Sequence, residues 1–101
     1  MHIEILEEAQ DDILRGVLFY ESQQYGAGDY FLDTISADIN SLHLYVGIHA
    51  KTKNYYRTLS KRFPYSIYYQ IDINNEVVKV YAVLDDRSHP KMIELRLEEE
   101  K

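Results

Sequence analysis

The sequence predicts an α+β fold: an N-terminal strand, a two-helix antiparallel hairpin packed on one face of a mainly antiparallel sheet, and a short C-terminal helix. Three observations predict it. Residues 54–84 read as a meander of three consecutive antiparallel strands, residues 7–46 carry apolar side chains at helical spacing in two runs, and residues 2–6 alternate as a strand does. The chain has 101 residues, of which 46% are hydrophobic and 28% charged, which suits one core and a single domain spanning 1–101.

In chain order, Ile3 and Ile5 share one side of the first strand, with His2 and Glu4 on the other. From Glu7 onward Ala9, Ile13, Gly16, Val17 and Tyr20 form an apolar stripe, and Glu8, Asp11, Asp12, Arg15 and Glu21 fall on the other faces. Gly16 inside a helix costs about 1 kcal/mol relative to Ala, so a second backbone is expected to pack against it. Gly26-Ala27-Gly28 is a turn, Asp29 is expected to cap a second helix carrying Phe31, Ile35, Ile39, Leu42 and Val46, and Gly47 is expected to stop it.

The strand over 65–73 alternates Tyr65, Ile67, Tyr69, Ile71 and Ile73 against Ser66, Tyr68, Gln70 and Asp72. A two-residue Asn74-Asn75 loop is expected to join it to the strand over 76–84. That loop pairs Ile71 with Val78, Tyr69 with Val80, Ile67 with Ala82 and Tyr65 with Leu84. The opposite face then carries Gln70 beside Lys79, Tyr68 beside Tyr81 and Ser66 beside Val83, so a one-sided sheet is expected, with helices on one face and the other open. The face that Arg57 joins depends on the loop before Pro64, which the sequence leaves undecided. Ser88 or His89 followed by Pro90 starts a short helix with Met92, Ile93 and Leu97, and residues 98–101 are expected to fray.

The net charge of −6 hides a polarity. Residues 1–50 hold nine acidic side chains and one basic, whereas residues 51–101 hold eight acidic and ten basic. Lys51, Lys53, Arg57, Lys61 and Arg62 lie in a segment, 51–62, that contains no Asp or Glu. The chain has no cysteine, which removes disulfides and thiolate metal sites. Its four histidines, at 2, 43, 49 and 89, lack the spacing of paired metal ligands, so neither a metal nor a cofactor is expected. Asp85 and Asp86 read as solvated loop carboxylates. With no apolar run of membrane-spanning length and no signal-peptide pattern at the N-terminus, a cytoplasmic location without membrane association is expected.

What could carry chemistry is a basic, tyrosine-rich set near the sheet. Arg57, Arg62, Arg87 and His89 are the catalytic candidates, and Lys53, Lys61, Tyr68, Gln70, Lys79 and Tyr81 are the open-face contacts for RNA or a partner protein. RNA can be cut through its own 2′-hydroxyl without metal, given a base, cations to steady charge on phosphorus, and an acid; tyrosines can stack on unpaired bases. The plainer reading is that edge-strand lysines discourage aggregation and that tyrosine is an ordinary strand residue.

Several local patterns occur together and in order: Ala9 with Asp12 and Ile13, Phe19-Tyr20-Glu21, Gly26-Ala27-Gly28 with Phe31, Arg57 with Leu59, residues 62–69 (RFPYSIYY), Val83-Leu84, and Arg87 followed by Pro90. In these the chain resembles the RelE/ParE superfamily of toxins from bacterial type II toxin–antitoxin systems, also called plasmid stabilisation proteins. The resemblance implies a compact α+β toxin neutralised by a cognate antitoxin. It implies one of two activities: ribosome-dependent cleavage of messenger RNA, as in RelE-like members, or block of DNA gyrase by protein contact, as in ParE-like members. By position, Arg57 and Arg87 would be the principal functional cations, with Arg62 a third. Asp85 stands where many members carry His, and Ser88 where many carry a second basic residue. The ParE-like reading is therefore slightly preferred over the nuclease, and a degenerate, non-toxic relative is the third alternative.

Overall fold

The computed structural model describes residues 1–98. β1 (His2–Ile5) leads into α1 (Glu7–Gln23), α2 (Ala27–Asn40) and a single turn, α3 (Leu42–Tyr45). The strands β2 (Lys51–Thr52), β3 (Tyr55–Leu59), β4 (Tyr65–Asp72) and β5 (Val77–Asp85) follow, and α4 (Pro90–Glu98) ends the described chain. The sheet has five strands in the order β1-β5-β4-β3-β2, with β1 parallel to β5 and the other pairs antiparallel. The α+β fold expected from the sequence is the one observed, with β2 added as a two-residue edge.

The helical hairpin packs through the stripe that the spacing marks. Ala9, Phe31, Ile35, Ile39 and Leu42 are buried with Ile67, Tyr69, Val78, Val80 and Val83, and Ile13, Val17 and Tyr20 close the margin. The close approach foreseen at Gly16 is real, but its neighbour is a side chain: a Cβ there would lie 2.4 Å from Phe31 Cε2. The backbone-on-helix contact occurs instead at Gly28, where a Cβ would sit 2.7 Å from the Val17 carbonyl oxygen. Asp29 does not cap α2. Glu21 does so from α1, its carboxylate accepting the Gly26 and Gly28 N–H groups at 3.1 and 2.9 Å, and those two bonds hold its pKa below the ordinary range. A carboxylate already positioned by one helix can satisfy the orphan donors of the next, and Gly26, with φ +86°, turns the chain to present them.

Past the helices, Gly47 takes φ +87° and donates its N–H to the Tyr69 hydroxyl at 2.9 Å. Tyr69 is fully buried, and its hydroxyl lies 2.6 Å from His49 Nδ1. The hydroxyl thus bridges the Gly47 N–H and the His49 ring, and burial lowers the His49 pKa. The unfolded chain protonates near the ordinary value of 6.5 while the folded imidazole resists, so stability is full above that value and is lost as pH falls below it toward the depressed folded pKa. His49→Gln should flatten this slope, measured as the urea midpoint between about pH 7.5 and 5.

The hairpin between β4 and β5 departs from expectation in two places, the form of its turn and one shift of register. Its turn has four residues, 73–76, between the paired Asp72 and Val77, where two were expected: the Glu76 N–H donates to the Ile73 carbonyl at 3.3 Å, and Glu76, not an asparagine, takes positive φ (56°). Asp72 fastens the turn by accepting from Asn75 N and Nδ2 at 3.2 and 2.9 Å. Ile71↔Val78, Gln70↔Lys79 and Tyr69↔Val80 pair as expected, but a bulge follows, so that Tyr68 faces Ala82, Ile67 faces Val83 and Ser66 faces Leu84. The extra residue is Tyr81. It places Tyr81 and Ala82 in succession on one side of the sheet and returns Val83 to the hairpin core.

The one-sided sheet is also corrected. α4 crosses the second face, and Leu97, with Ile93 at its side, covers Tyr55, Tyr68, Ala82 and Leu84 in a smaller second core. Arg57 pairs with Tyr68 and so belongs to this α4 face. Asp12, expected outside, is 4% exposed and explains how the sheet edge is finished. β1 ends at Ile5, opposite Val80, leaving the last residues of β5 without a neighbouring strand on that side. Asp12 accepts the Val83 N–H at 3.0 Å, and Arg96 from α4 reaches over the edge to bond Asp12 at 2.7 and 2.9 Å and the Tyr81 carbonyl at 3.4 Å. Arg15 adds a contact to Asp12 at 2.6 Å.

Candidate functional site

The basic candidates do not converge; each is held by a different partner. Arg57 projects from β3 beside Ser66 of β4, and Asp86 follows the last residue of β5, fixed by its N–H bond to the Pro64 carbonyl at 2.7 Å. The Arg57 Nε–H donates to Ser66 Oγ at 2.9 Å, Ser66 Oγ donates to Asp86 Oδ1 at 2.5 Å, and Arg57 Nη2 is 3.4 Å from the same oxygen. The hydroxyl of Ser66 is therefore a bridge between cation and carboxylate, with its proton committed. Arg57 retains 39% side-chain exposure, so it is a fixed, accessible cation whose charge its own carboxylate offsets.

Arg87 forms a second closed unit. Its Nε and Nη2 bond both oxygens of Asp85 at 2.9 and 2.8 Å, and its backbone N–H adds a third bond at 2.8 Å. Nη2 also donates to the Tyr20 hydroxyl at 3.2 Å. The fork geometry suits a carboxylate, lowering the pKa of Asp85 and pushing that of Arg87 further up. Burial, and after it the Asp85 charge, raise the pKa of the neighbouring Tyr65 to about 12, with Arg87 acting in the opposite direction. Asp85 and Asp86, read from the sequence as solvated, are thus the counter-ions of the two principal arginines. The Asp-Asp-Arg run was the signal for this, since a carboxylate two residues before an arginine in a tight turn can fold back upon it.

The remaining candidates are dispersed. Arg62 lies on the α2 side, donating to the Tyr30 hydroxyl at 3.2 Å. Lys61 is exposed, and its N–H bonds Asp38, a buried carboxylate that also takes the Ser60 hydroxyl at 2.7 Å. His89 immediately precedes α4, its Nδ1 accepting the Lys91 N–H at 3.0 Å. Lys53 lies 3.6 and 3.3 Å from Glu94 and Glu98 of α4, which raise its pKa. Tyr68 is 2% exposed, and Tyr81 packs edge-on against Tyr55 at 4.9 Å between centroids. Gln70 bonds the Asn54 carbonyl at 3.1 Å, and Lys79 sits 4.0 Å from Asp72. Among the described residues, the arrangement offers two arginine–carboxylate units in which every named hydrogen-bonding group already has a partner.

The family model for the ParE toxin of the type II toxin–antitoxin system parDE matches residues 3–90. The chain belongs to the ParE toxin family. The superfamily resemblance drawn from the sequence is thereby confirmed. A solved structure described as the chromosomal ParDE TA system from P. aeruginosa shares the fold of this ParE-family chain, with a TM-score of 0.67 at 11% identity over 82% of this chain and 92% of the other. No curated protein sequence matches it. Among its described residues, no helix is long and apolar enough to cross a membrane. The family match ends at Pro90, the first residue of α4.

Proposed function

We propose that this ParE-family chain is the toxin of a type II toxin–antitoxin pair in the cytoplasm, held in check by a cognate antitoxin, and that it acts by contact with a protein target, DNA gyrase, without cutting messenger RNA. The observation that carries the choice of target is the pairing of Arg57 with Asp86 and of Arg87 with Asp85. Phosphoryl transfer needs cationic charge that is uncompensated at the reacting phosphate, together with a proton donor and acceptor within reach. These arginines face their own carboxylates, and His89 uses its Nδ1 to start α4. Protein recognition has no such requirement, since paired charges on a rigid surface give specificity.

Expression of the chain without an antitoxin tests this. Growth should stop, transcript ends mapped after induction should stay intact, and the purified protein should inhibit gyrase supercoiling. Arg57→Ala and Arg87→Ala each remove a part-exposed ion pair worth up to about 1 kcal/mol, so both should fold, and any loss of growth arrest should come with weaker gyrase inhibition and with transcripts as intact as in the unaltered chain. Codon-specific cleavage that either substitution abolishes would establish the nuclease instead. Healthy cells at high expression would mark a non-toxic relative.

A further inference from the structure

α4 divides the face it covers. Arg57 with Ser66 and Asp86 lies to one side, and to the other Gln70, Lys79 and Tyr81 line a depression of about 380 Å³. Between them Tyr55 and Tyr68, 1% and 2% exposed, are sealed beneath Leu97 and Ile93. The attachment of α4 is narrow. Leu97 is its buried residue, whereas Met92 and Leu95 are 65% and 52% exposed. Polar contacts then tie its flanks: Glu94 and Glu98 to Lys53 on one side, Arg96 to Asp12 on the other.

A helix of nine residues does not persist without a surface to fold upon, so leaving the sheet means unfolding. β4, by contrast, is paired on both sides, by β3 and β5, and is backed by the hairpin core, so α4 can come away without the sheet following it. The charge arrangement points the same way. Segment 51–62 has no acid of its own, and the carboxylates that offset Lys53 are supplied by the cover.

We propose that α4 is a latched gate: closed, it splits and masks this face, and open, it joins Lys53, Tyr55, Arg57, Tyr68, Gln70 and Lys79 into one basic, aromatic contact surface, with Arg96–Asp12 as the latch. The inference rests on the proposed function only in assigning target contact to this face. The family match stops at Pro90, so the gate is an element beyond the region on which the family assignment stands.

Amide exchange and tyrosine nitration, read by mass spectrometry on the intact chain, test the opening. Amides of 91–98 should exchange at least tenfold faster than those of β4 and β5. Arg96→Gln should speed exchange of α4 about tenfold and raise nitration of Tyr68, with β4 and β5 still exchanging more slowly than α4 as global stability falls. Leu97→Ser, which leaves Asp12 untouched, should do the same. Exchange of α4 in step with β4 and β5 in all three proteins would overturn the gate. The chain lacks cysteine, so Glu8→Cys with Arg96→Cys, whose native side chains lie 3.9 Å apart beside the latch, can be bridged by a cleavable bis-maleimide that takes the latch's place. Bridging should abolish gyrase inhibition by the purified protein, and cleaving the linker should restore it. Equal inhibition by bridged and cleaved forms would also overturn the gate, whereas local opening of α4 in a chain that never inhibits gyrase would overturn the proposed target and leave the gate standing.

Discussion

Asp12→Ala should lower the unfolding free energy by about 3–5 kcal/mol, the range for breaking a buried ion pair on one side. The Asp12 side chain is 2% exposed and has four donors: two guanidinium nitrogens of Arg96, one of Arg15, and the Val83 N–H. Alanine strands the Val83 N–H at the strand edge that β1 does not cover and leaves Arg96, 22% exposed, without its buried counter-ion. For a chain of this length the loss corresponds to a fall in the thermal midpoint of roughly 15 °C or more. Asp12→Asn keeps an acceptor for Val83 and should cost about half as much. Thermal unfolding followed by circular dichroism measures both; equal midpoints for the two variants would show that charge, and not the strand-edge bond, sets the cost.

Phe31→Ala should cost about 3–5 kcal/mol, since the ring is fully buried and packs 4.9–5.1 Å, centroid to centroid, from Tyr20, Phe63 and Tyr65. The informative result is its coupling with Gly16. In the native chain Gly16→Ala should destabilise by about 1–3 kcal/mol despite the better helix propensity of alanine, because its methyl would lie 2.4 Å from a ring that three other aromatic residues hold in place. Once the ring is removed, the same methyl enters vacated space, and Gly16→Ala should then stabilise Phe31→Ala by about 1 kcal/mol. Urea unfolding of the four proteins closes this double-mutant cycle. A cost for Gly16→Ala that is the same in both backgrounds would show that the glycine is required for some reason other than the Phe31 ring.

Much of the fold was legible because periodicity is a local property. The positions of Ala9, Gly16, Phe31, Ile35, Ile39 and Leu42 reveal a buried stripe before any partner is known, and the alternation over residues 65–72 does the same for β4. The bulge at Tyr81 left no such mark. Ala82 and Val83 are both apolar, so exchanging their faces changes nothing in the pattern, and the slip is decided by which face α4 comes to cover. The candidate site was legible in residue type and misjudged in state. Arg57 and Arg87 do reach the end of the sheet, but their charge is set by Asp86 and Asp85, carboxylates that look solvated in any reading that lacks their distances.

By itself, then, the sequence determined the elements, the helical face that enters the core, the acidic first half and basic second half, and the resemblance to RelE/ParE toxins. The tertiary structure alone decided that Asp12 is buried, that Glu21 caps the following helix, and that α4 closes the second face of the sheet. The physical reason is common to all three. Each depends on a contact between groups distant in the chain, Asp12 with Arg96 and Val83, Glu21 with a turned Gly26-Gly28 backbone, Leu97 with Tyr55 and Tyr68, and the free energy of such a contact exists only once the chain has brought its two sides together.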